Sequence, residues 1–164
     1  MAVLAQLEPK AVFHYFEEIC GIPHESSDTQ AISDYLVAFA KERNLYVRQD
    51  TLGNVIMKKP ATRGYEDVPV VMIQGHMDMV CEKTDDKEID FHTQGLDLVL
   101  DENVIHADRT TLGGDDGIAV AFALAILDAD DIPHPALEVV ITVDEEIGML
   151  GAAGITTEDL QASY

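Results

Sequence analysis

The chain has 164 residues, 47% of them hydrophobic, and its 31 acidic and 10 basic residues give a formal charge of −21 at pH 7. This length and composition fit one folded domain with a hydrophobic core and exclude an intrinsically disordered chain. The strong negative charge disfavours nucleic acids and anionic membrane surfaces as partners. A solvated surface accounts for most of the acidic residues, and a metal site needs only a few of them.

Neither an export signal nor a membrane span is predicted. Residues 1–12 lack a basic start followed by an apolar stretch, and the longest apolar run, at 118–127, is too short to cross a bilayer. The two cysteines, Cys20 and Cys81, form no paired-spacing motif, so we expect buried, reduced thiols. These observations predict a soluble, cytoplasmic protein.

Two amphipathic helices are predicted at the start of the chain. In the first, apolar residues recur at helical spacing over 9–20. The second follows a side-chain cap at Ser26, Ser27 or Asp28 and ends at Asn44.

The rest of the chain combines strands with one further helix. An alternating pattern around a turn predicts a hairpin, whereas continuous apolar runs predict strands that are buried on both faces. The predicted strands are Tyr46–Asp50, Val55–Met57, Val68–Gln74, Leu98–Leu100, Val104–Ala107 and Leu137–Val143. Small residues from Gly117 onwards predict a closely packed helix. This order predicts an α/β fold with helices on both faces of the sheet.

The end of the chain is expected to be incomplete. Residues 160–164 have the character of the approach to a further strand, without a turn, a cap or a polar tail after it.

Potential metal ligands follow the strand Val68–Gln74. His76 and Asp78 are two residues apart, so on an extended backbone their side chains project to the same side. A histidine can ligate zinc through one ring nitrogen while a carboxylate accepts a hydrogen bond from the other. The pair alone is weak evidence, because an ordinary polar loop has the same pattern.

A second pair of carboxylates, Asp115 and Asp116, lies between glycines just before the small-residue helix. Two carboxylates at this position repel phosphate, and no G-x-G-x-x-G motif is present, so a nucleotide site is disfavoured. Asp116 is suited to cap the helix, which leaves Asp115 to bind a metal.

Three consecutive acids, Asp144, Glu145 and Glu146, follow the strand Leu137–Val143. Adjacent side chains on an extended segment diverge, so one glutamate can ligate a metal while the other handles protons. A solvated loop is the alternative, but three strand ends with ligands in one small domain favour a metal site. One histidine with several carboxylates suits zinc, cobalt or manganese in a two-metal hydrolase.

Three segments resemble the N-terminal motifs of the M20 metallopeptidases, and two shorter ones also fit. The three are Gln74–Val80, Thr110–Gly117 and Asp144–Met149, and the shorter ones are Gly21–His24 and Asp50–Asn54. The resemblance implies a three-layer αβα sandwich with a zinc-peptidase-like mixed sheet that is incomplete at its C-terminus. Residues 1–164 are then the N-terminal portion of the catalytic domain, without the lid and dimerisation domain and without the C-terminal part of the catalytic domain.

The resemblance also implies a role for each site residue. His76 would ligate one Zn²⁺, Glu146 the other, and Asp115 would bridge the two ions, with Co²⁺ or Mn²⁺ as possible substitutes. Asp78 would orient His76, and Glu145 would be the general base. The peptide bond between Asp115 and Asp116 is expected to be cis.

The activity implied is that of a di-zinc dipeptidase that hydrolyses Xaa-His and other unblocked dipeptides. The parent enzyme would be a homodimer through its lid domain, and this fragment would be inactive by itself. Three alternatives remain: a non-catalytic remnant of a split gene that binds a metal or a partner, another M20 member such as an aminoacylase or a tripeptidase, and an acidic α/β domain without a site.

Overall fold

A computed structural model describes residues 2–162 of the chain, so Ser163 and Tyr164, at the end of the predicted further strand, lie outside the described residues. In chain order the elements are α1 (Lys10–Cys20), α2 (Gln30–Glu42), β1 (Tyr46–Gln49), β2 (Val55–Lys59), β3 (Val71–His76), β4 (Leu98–Asp101), β5 (Val104–Ala107), α3 (Gly114–Asp128), β6 (Leu137–Thr142), α4 (Leu150–Gly154) and a 3₁₀ turn at Thr157–Asp159.

The central sheet has four strands in the order β1-β2-β6-β3. β2 is antiparallel to both β1 and β6, whereas β3 and β6 are parallel and place His76 opposite Thr142. A separate antiparallel hairpin is formed by β4 and β5. The prediction of an α/β fold with a mixed sheet is therefore confirmed.

β6 lies in the interior of the sheet, and all six of its residues are buried. Because side chains alternate along a strand, Val139 and Ile141 join the hydrophobic core with Val55 and Met57 of β2. The other face of β6 carries Glu138, Val140 and Thr142.

The three long helices contribute to this same core, and α3 packs closely on α1. A Cβ at Gly117 would lie 3.3 Å from a ring carbon of Phe16, so a larger residue would require that ring to shift. The small residues of α3 thus have the close-packing role expected from the sequence.

The second face of the sheet is covered in part by the segment after β6. This face carries a groove of about 390 Å³. Its lining includes Ala152 of α4, Ile155 and Leu160, together with Val140 and other residues. The ligand-bearing ends of β3 and β6 open into this groove, since His76, Asp115 and Glu145 also line it.

Two predicted features of these elements are wrong. β3 begins at Val71 rather than Val68, because its pairing with β6 starts there, and Gln74 is exposed, because it faces the groove on the second face of the sheet. The residue that caps α2 is Thr29, which makes no side-chain cap hydrogen bond.

Both cysteines are free thiols, with Cys20 buried and Cys81 half-buried. Burial, with a smaller effect of Glu17, raises the pKa of Cys20 to about 12. No helix in the described part of the chain is long and apolar enough to cross a bilayer.

Candidate metal centre

His76 is the last residue of β3 and is only 6% exposed. Its Nδ1 lies 3.0 Å from the carbonyl oxygen of Asp78 and 3.4 Å from the Oδ1 of the same residue. A proton on Nδ1 satisfies these two acceptors, so Nε2 is the nitrogen left to bind a cation.

Nε2 of His76 faces carboxylates. It lies 3.1 Å from Oδ1 of Asp115 and 4.0 Å from Oε2 of Glu145. Burial acts to lower the pKa of His76, but the hydrogen bond to Asp115 and the negative charge of Asp78 outweigh it, so this pKa is raised. The surroundings of Nε2 therefore favour a positive charge.

His76, Glu145 and Glu146 each place one potential ligand atom within 4.8 Å of the others, and no other such group occurs within residues 2–162. Asp115 adds a further oxygen donor beside Nε2, and its side chain is 88% exposed. One imidazole nitrogen surrounded by carboxylate oxygens fits Zn²⁺, Co²⁺ or Mn²⁺. The predicted ligands His76, Asp115 and Glu146 are thus brought to one edge of the sheet, together with the predicted base, Glu145.

The Asp78 carboxylate, in a residue only 1% exposed, holds the two ligand segments together. Its Oδ1 accepts the backbone N–H of Glu145 at 3.0 Å and its Oδ2 that of Glu146 at 3.3 Å. The same Oδ1 lies 3.4 Å from Nδ1 of His76. Asp78 therefore contacts the histidine, as predicted, and also the pair of glutamates, which was not predicted.

Asp116 does not cap α3, so that prediction is wrong. The N-cap position is occupied by Gly113, and Oδ2 of Asp116 instead accepts the backbone N–H of His76 at 3.3 Å. The backbone of Asp115 and Asp116 is non-helical, which directs the Asp116 carboxylate to β3, where a Cβ at Gly75 would approach it to 2.8 Å. The peptide bond between the two aspartates is cis, as expected.

Two serines near the site, Ser26 and Ser27, are among the predicted alternatives for the helix cap but have other partners. The hydroxyl of Ser26 donates to Oδ2 of Asp78 at 2.7 Å, and the backbone N–H of Ser27 donates to Oδ1 of Asp144 at 2.7 Å. No local pattern reveals these contacts, because the partners lie 52 and 117 residues further along the chain.

His24 is a buried structural residue beside the site. Its Nδ1 lies 2.6 Å from the carbonyl oxygen of Ile22, and its own carbonyl accepts the N–H of Met79 at 3.1 Å. Burial lowers the pKa of the His24 ring, which favours its neutral form.

Known proteins share both the sequence and the fold of this chain. Over 162 residues it is 41% identical to the cytosol non-specific dipeptidase of Escherichia coli (strain K12), a match that covers 99% of this chain and 33% of that protein. The crystal structure of the aminoacylhistidine dipeptidase from Vibrio alginolyticus superposes with a TM-score of 0.94 and 40% identity, over 97% of this chain and 32% of that one.

The chain's close homologues are M20 peptidases. A tripeptidase from Staphylococcus aureus also matches, with a TM-score of 0.79 and 25% identity, over 94% of this chain and 42% of that one. No family model matches the chain. The predicted resemblance is thereby confirmed, for a chain that spans about a third of the length of the two dipeptidases.

Proposed function

We propose that the full-length protein is a metal-dependent dipeptidase and that residues 1–164 form the N-terminal portion of its catalytic domain. The observation that carries this proposal is the position of His76 Nε2, 3.1 Å from Asp115 and 4.0 Å from Glu145 at one sheet edge. Homology to two dipeptidases at 40% and 41% identity supports the same class of reaction. A cytosolic location is proposed from the Escherichia coli relative.

The proposed metal ligands are His76 for one Zn²⁺, Glu146 for a second, and Asp115 as a bridge between them, with Co²⁺ or Mn²⁺ as possible substitutes. When bound, the ions would polarise the scissile carbonyl and lower the pKa of a water molecule. Two four-coordinate ions need more ligands than these three residues supply. We therefore propose that the other ligands come from the remainder of the parent protein, which would also carry a lid domain and dimerise through it.

Glu145 is suited to the role of general base. Its side chain is 39% exposed and so can reach both a water molecule and a substrate in the groove. Its backbone is held by the hydrogen bond to Asp78. In this position the carboxylate can accept a proton from the attacking water and deliver it to the leaving amine.

Unblocked dipeptides, including Xaa-His, are the proposed substrates. Both dipeptidases match this chain at 40% identity or more, whereas the tripeptidase matches at 25%.

The experiment is hydrolysis of a panel of dipeptides and tripeptides by the full-length protein, before and after chelation and metal add-back. Chelation should abolish hydrolysis, and Zn²⁺ should restore it. Glu145→Gln should lower kcat about 10²- to 10⁴-fold, the usual contribution of a general base. Glu102→Gln, at an exposed position between β4 and β5, is the matched control and should retain full activity.

Undiminished hydrolysis after chelation, or in Glu145→Gln, would contradict the proposal. Metal binding by the full-length protein without any peptide hydrolysis would also contradict the proposal and would favour a non-catalytic metal-binding protein. Residues 1–164 produced alone should bind metal weakly and hydrolyse no dipeptide, because their ligand set is incomplete.

A further inference from the structure

Ser26 connects the loop before α2 to the interior of the metal centre. Its hydroxyl donates to Oδ2 of Asp78 at 2.7 Å, across a separation of 52 residues in the chain. This is the shortest contact of the buried Asp78 carboxylate, which also accepts the N–H groups of Glu145 and Glu146 at 3.0 and 3.3 Å and lies 3.4 Å from Nδ1 of His76.

The backbone fixes the position of Ser26 before its hydroxyl makes any contact. The N–H of Ser26 donates to the carbonyl of Met79 at 3.2 Å, and the N–H of Met79 donates to the carbonyl of His24 at 3.1 Å. Glu25 and Met79 form a short parallel bridge between the same two segments. The serine is thus held beside the residues that follow β3, with its hydroxyl directed at Asp78.

The two oxygens of Asp78 have different partners. Oδ1 faces Nδ1 of His76 and the N–H of Glu145, whereas Oδ2 faces the hydroxyl of Ser26 and the N–H of Glu146. Without the hydroxyl, a buried and charged oxygen would lose its shortest hydrogen bond, and the carboxylate could rotate to improve its remaining ones. Any such rotation would shift the histidine ring and both glutamates together.

We propose that Ser26 is a positioning residue of the metal centre, an inference that rests on the proposed function of that site. Its hydroxyl holds the Asp78 carboxylate in the one orientation that serves His76 and the Glu145–Glu146 segment at the same time. Ser26 itself contacts neither metal nor substrate. Loss of hydrogen-bonding partners behind metal ligands typically weakens metal binding 10- to 100-fold.

The test compares full-length protein carrying Ser26→Ala, Ser26→Thr or Ser33→Ala with the unaltered protein. Ser33 is the matched control, because its buried hydroxyl donates at 2.6 Å to the carbonyl of Gly53 and takes no part in the site. Co²⁺ affinity is measured by competition with a chelator. Ser26→Ala should bind Co²⁺ up to about 10-fold more weakly, the lower end of the range for residues that hydrogen-bond a ligand directly. Ser26→Thr should recover most of the affinity, and Ser33→Ala should bind normally.

A second measurement, on the metal-free protein, does not depend on metal binding. Hydrogen exchange in peptides that contain the amides of Glu145 and Glu146 should be faster in Ser26→Ala than in the unaltered protein, and unchanged in Ser33→Ala. If Ser26→Ala does not fold, Ser26→Cys, with its weaker S–H donor, replaces it and should show smaller changes in the same direction.

The outcomes separate the two proposals. If folded Ser26→Ala binds Co²⁺ normally, or exchanges these amides at the normal rate, Ser26 does not position the site. If the unaltered protein binds no Co²⁺, the proposed function is wrong, and the exchange rates of the metal-free protein still decide whether Ser26 holds Asp78 and the glutamates in place.

Discussion

Gly151 lies directly against the side chain of Asn54, such that a Cβ at position 151 would be 2.4 Å from Asn54 Oδ1. Asn54 is buried, donates from Nδ2 to the carbonyl of Gly151 at 3.1 Å, and accepts the N–H of Val143 at 3.0 Å. One side chain at the start of β2 therefore holds both ends of the segment 144–150, which carries the two glutamates of the metal centre.

Gly151→Ala should destabilise the protein by about 2 kcal/mol or more, because overpacking a closed site displaces its neighbours. Besides Asn54, the new methyl group would meet the carbonyl oxygen of Val143 at 2.4 Å, and that atom can move only if the backbone shifts. Chemical denaturation measures the loss. Ala153→Ser, at an exposed position of the same short helix, is the control and should change little. A stability within about 0.5 kcal/mol of the unaltered protein, the usual range for surface substitutions, would show that the contact relaxes freely.

Removal of metal should lower the stability of the protein. A ligand that binds only the folded state at 100 times its Kd adds about 2.7 kcal/mol. The unfolding midpoint should therefore rise with added Zn²⁺ or Co²⁺ and fall with a chelator. His76→Ala should abolish this dependence, whereas His106→Ala, at an exposed position of β5, should retain it. Equal midpoints with metal and with chelator would contradict the assignment of the site.

Glu138 makes the stability of the fold depend on pH. Its buried carboxylate lies 2.8 Å from Nζ of Lys58 and accepts the N–H groups of Gln161 and Ala162, each at 2.9 Å. Burial acts to raise the pKa of Glu138, but these donors, Lys58 foremost, lower it below its ordinary value of 4.5.

Because the folded-state pKa of Glu138 is lowered, its contribution is present above pH 4.5 and is lost as the pH falls through the lowered pKa. Glu138→Gln should therefore be less stable than the unaltered protein at pH 7, and this difference should shrink below pH 4.5. Denaturation at several pH values measures it. Glu88→Gln, on an exposed segment, should show no comparable trend. A difference in unfolding free energy that stays constant from pH 7 to about pH 3, below the ordinary glutamate pKa, would contradict the assignment.

Leu124 tests the packing of α3. It is fully buried in the core, so Leu124→Ala should cost about 2 to 5 kcal/mol, the usual range for such cavities. Phe122, on the same helix, is 47% exposed, and Phe122→Ala should cost clearly less although it removes a larger side chain. Denaturant midpoints compare the two variants, and an equal loss would mean that the outer face of α3 is also packed.

Helices and strands with a regular pattern of apolar residues could be predicted from the sequence. The apolar spacing before Gly21 predicts α1, and the continuous apolar run beginning at Leu137 predicts β6. The prediction of β3 as a strand is correct, but its predicted start is wrong, because pairing with Leu137 of β6 begins at Val71. Which residues of an apolar run join a sheet depends on the neighbouring strand.

Residues predicted as ligands after β3 and β6 lie close together, whereas the partners of side chains that contact distant segments were not predicted. His76 and Glu145 converge because the carboxyl ends of the parallel strands β3 and β6 share an edge, and Asp115 reaches the same groove from the start of α3. Ser26 and Asp116 have residue types suited to helix capping, yet both contact segments at least 40 residues away. Residue preferences at helix ends depend on the local sequence alone, so they do not predict a partner that is distant in the chain.

The sharing of Asp78 also limits how the site can be redesigned. Its carboxylate serves a histidine two residues earlier and two glutamates 67 and 68 residues later. An engineer who exchanges the ligands of one segment for those of another metal would alter the hydrogen bonding of the other segment as well. Residues 76–78 and 145–146 therefore have to be transplanted into a new scaffold as a single part.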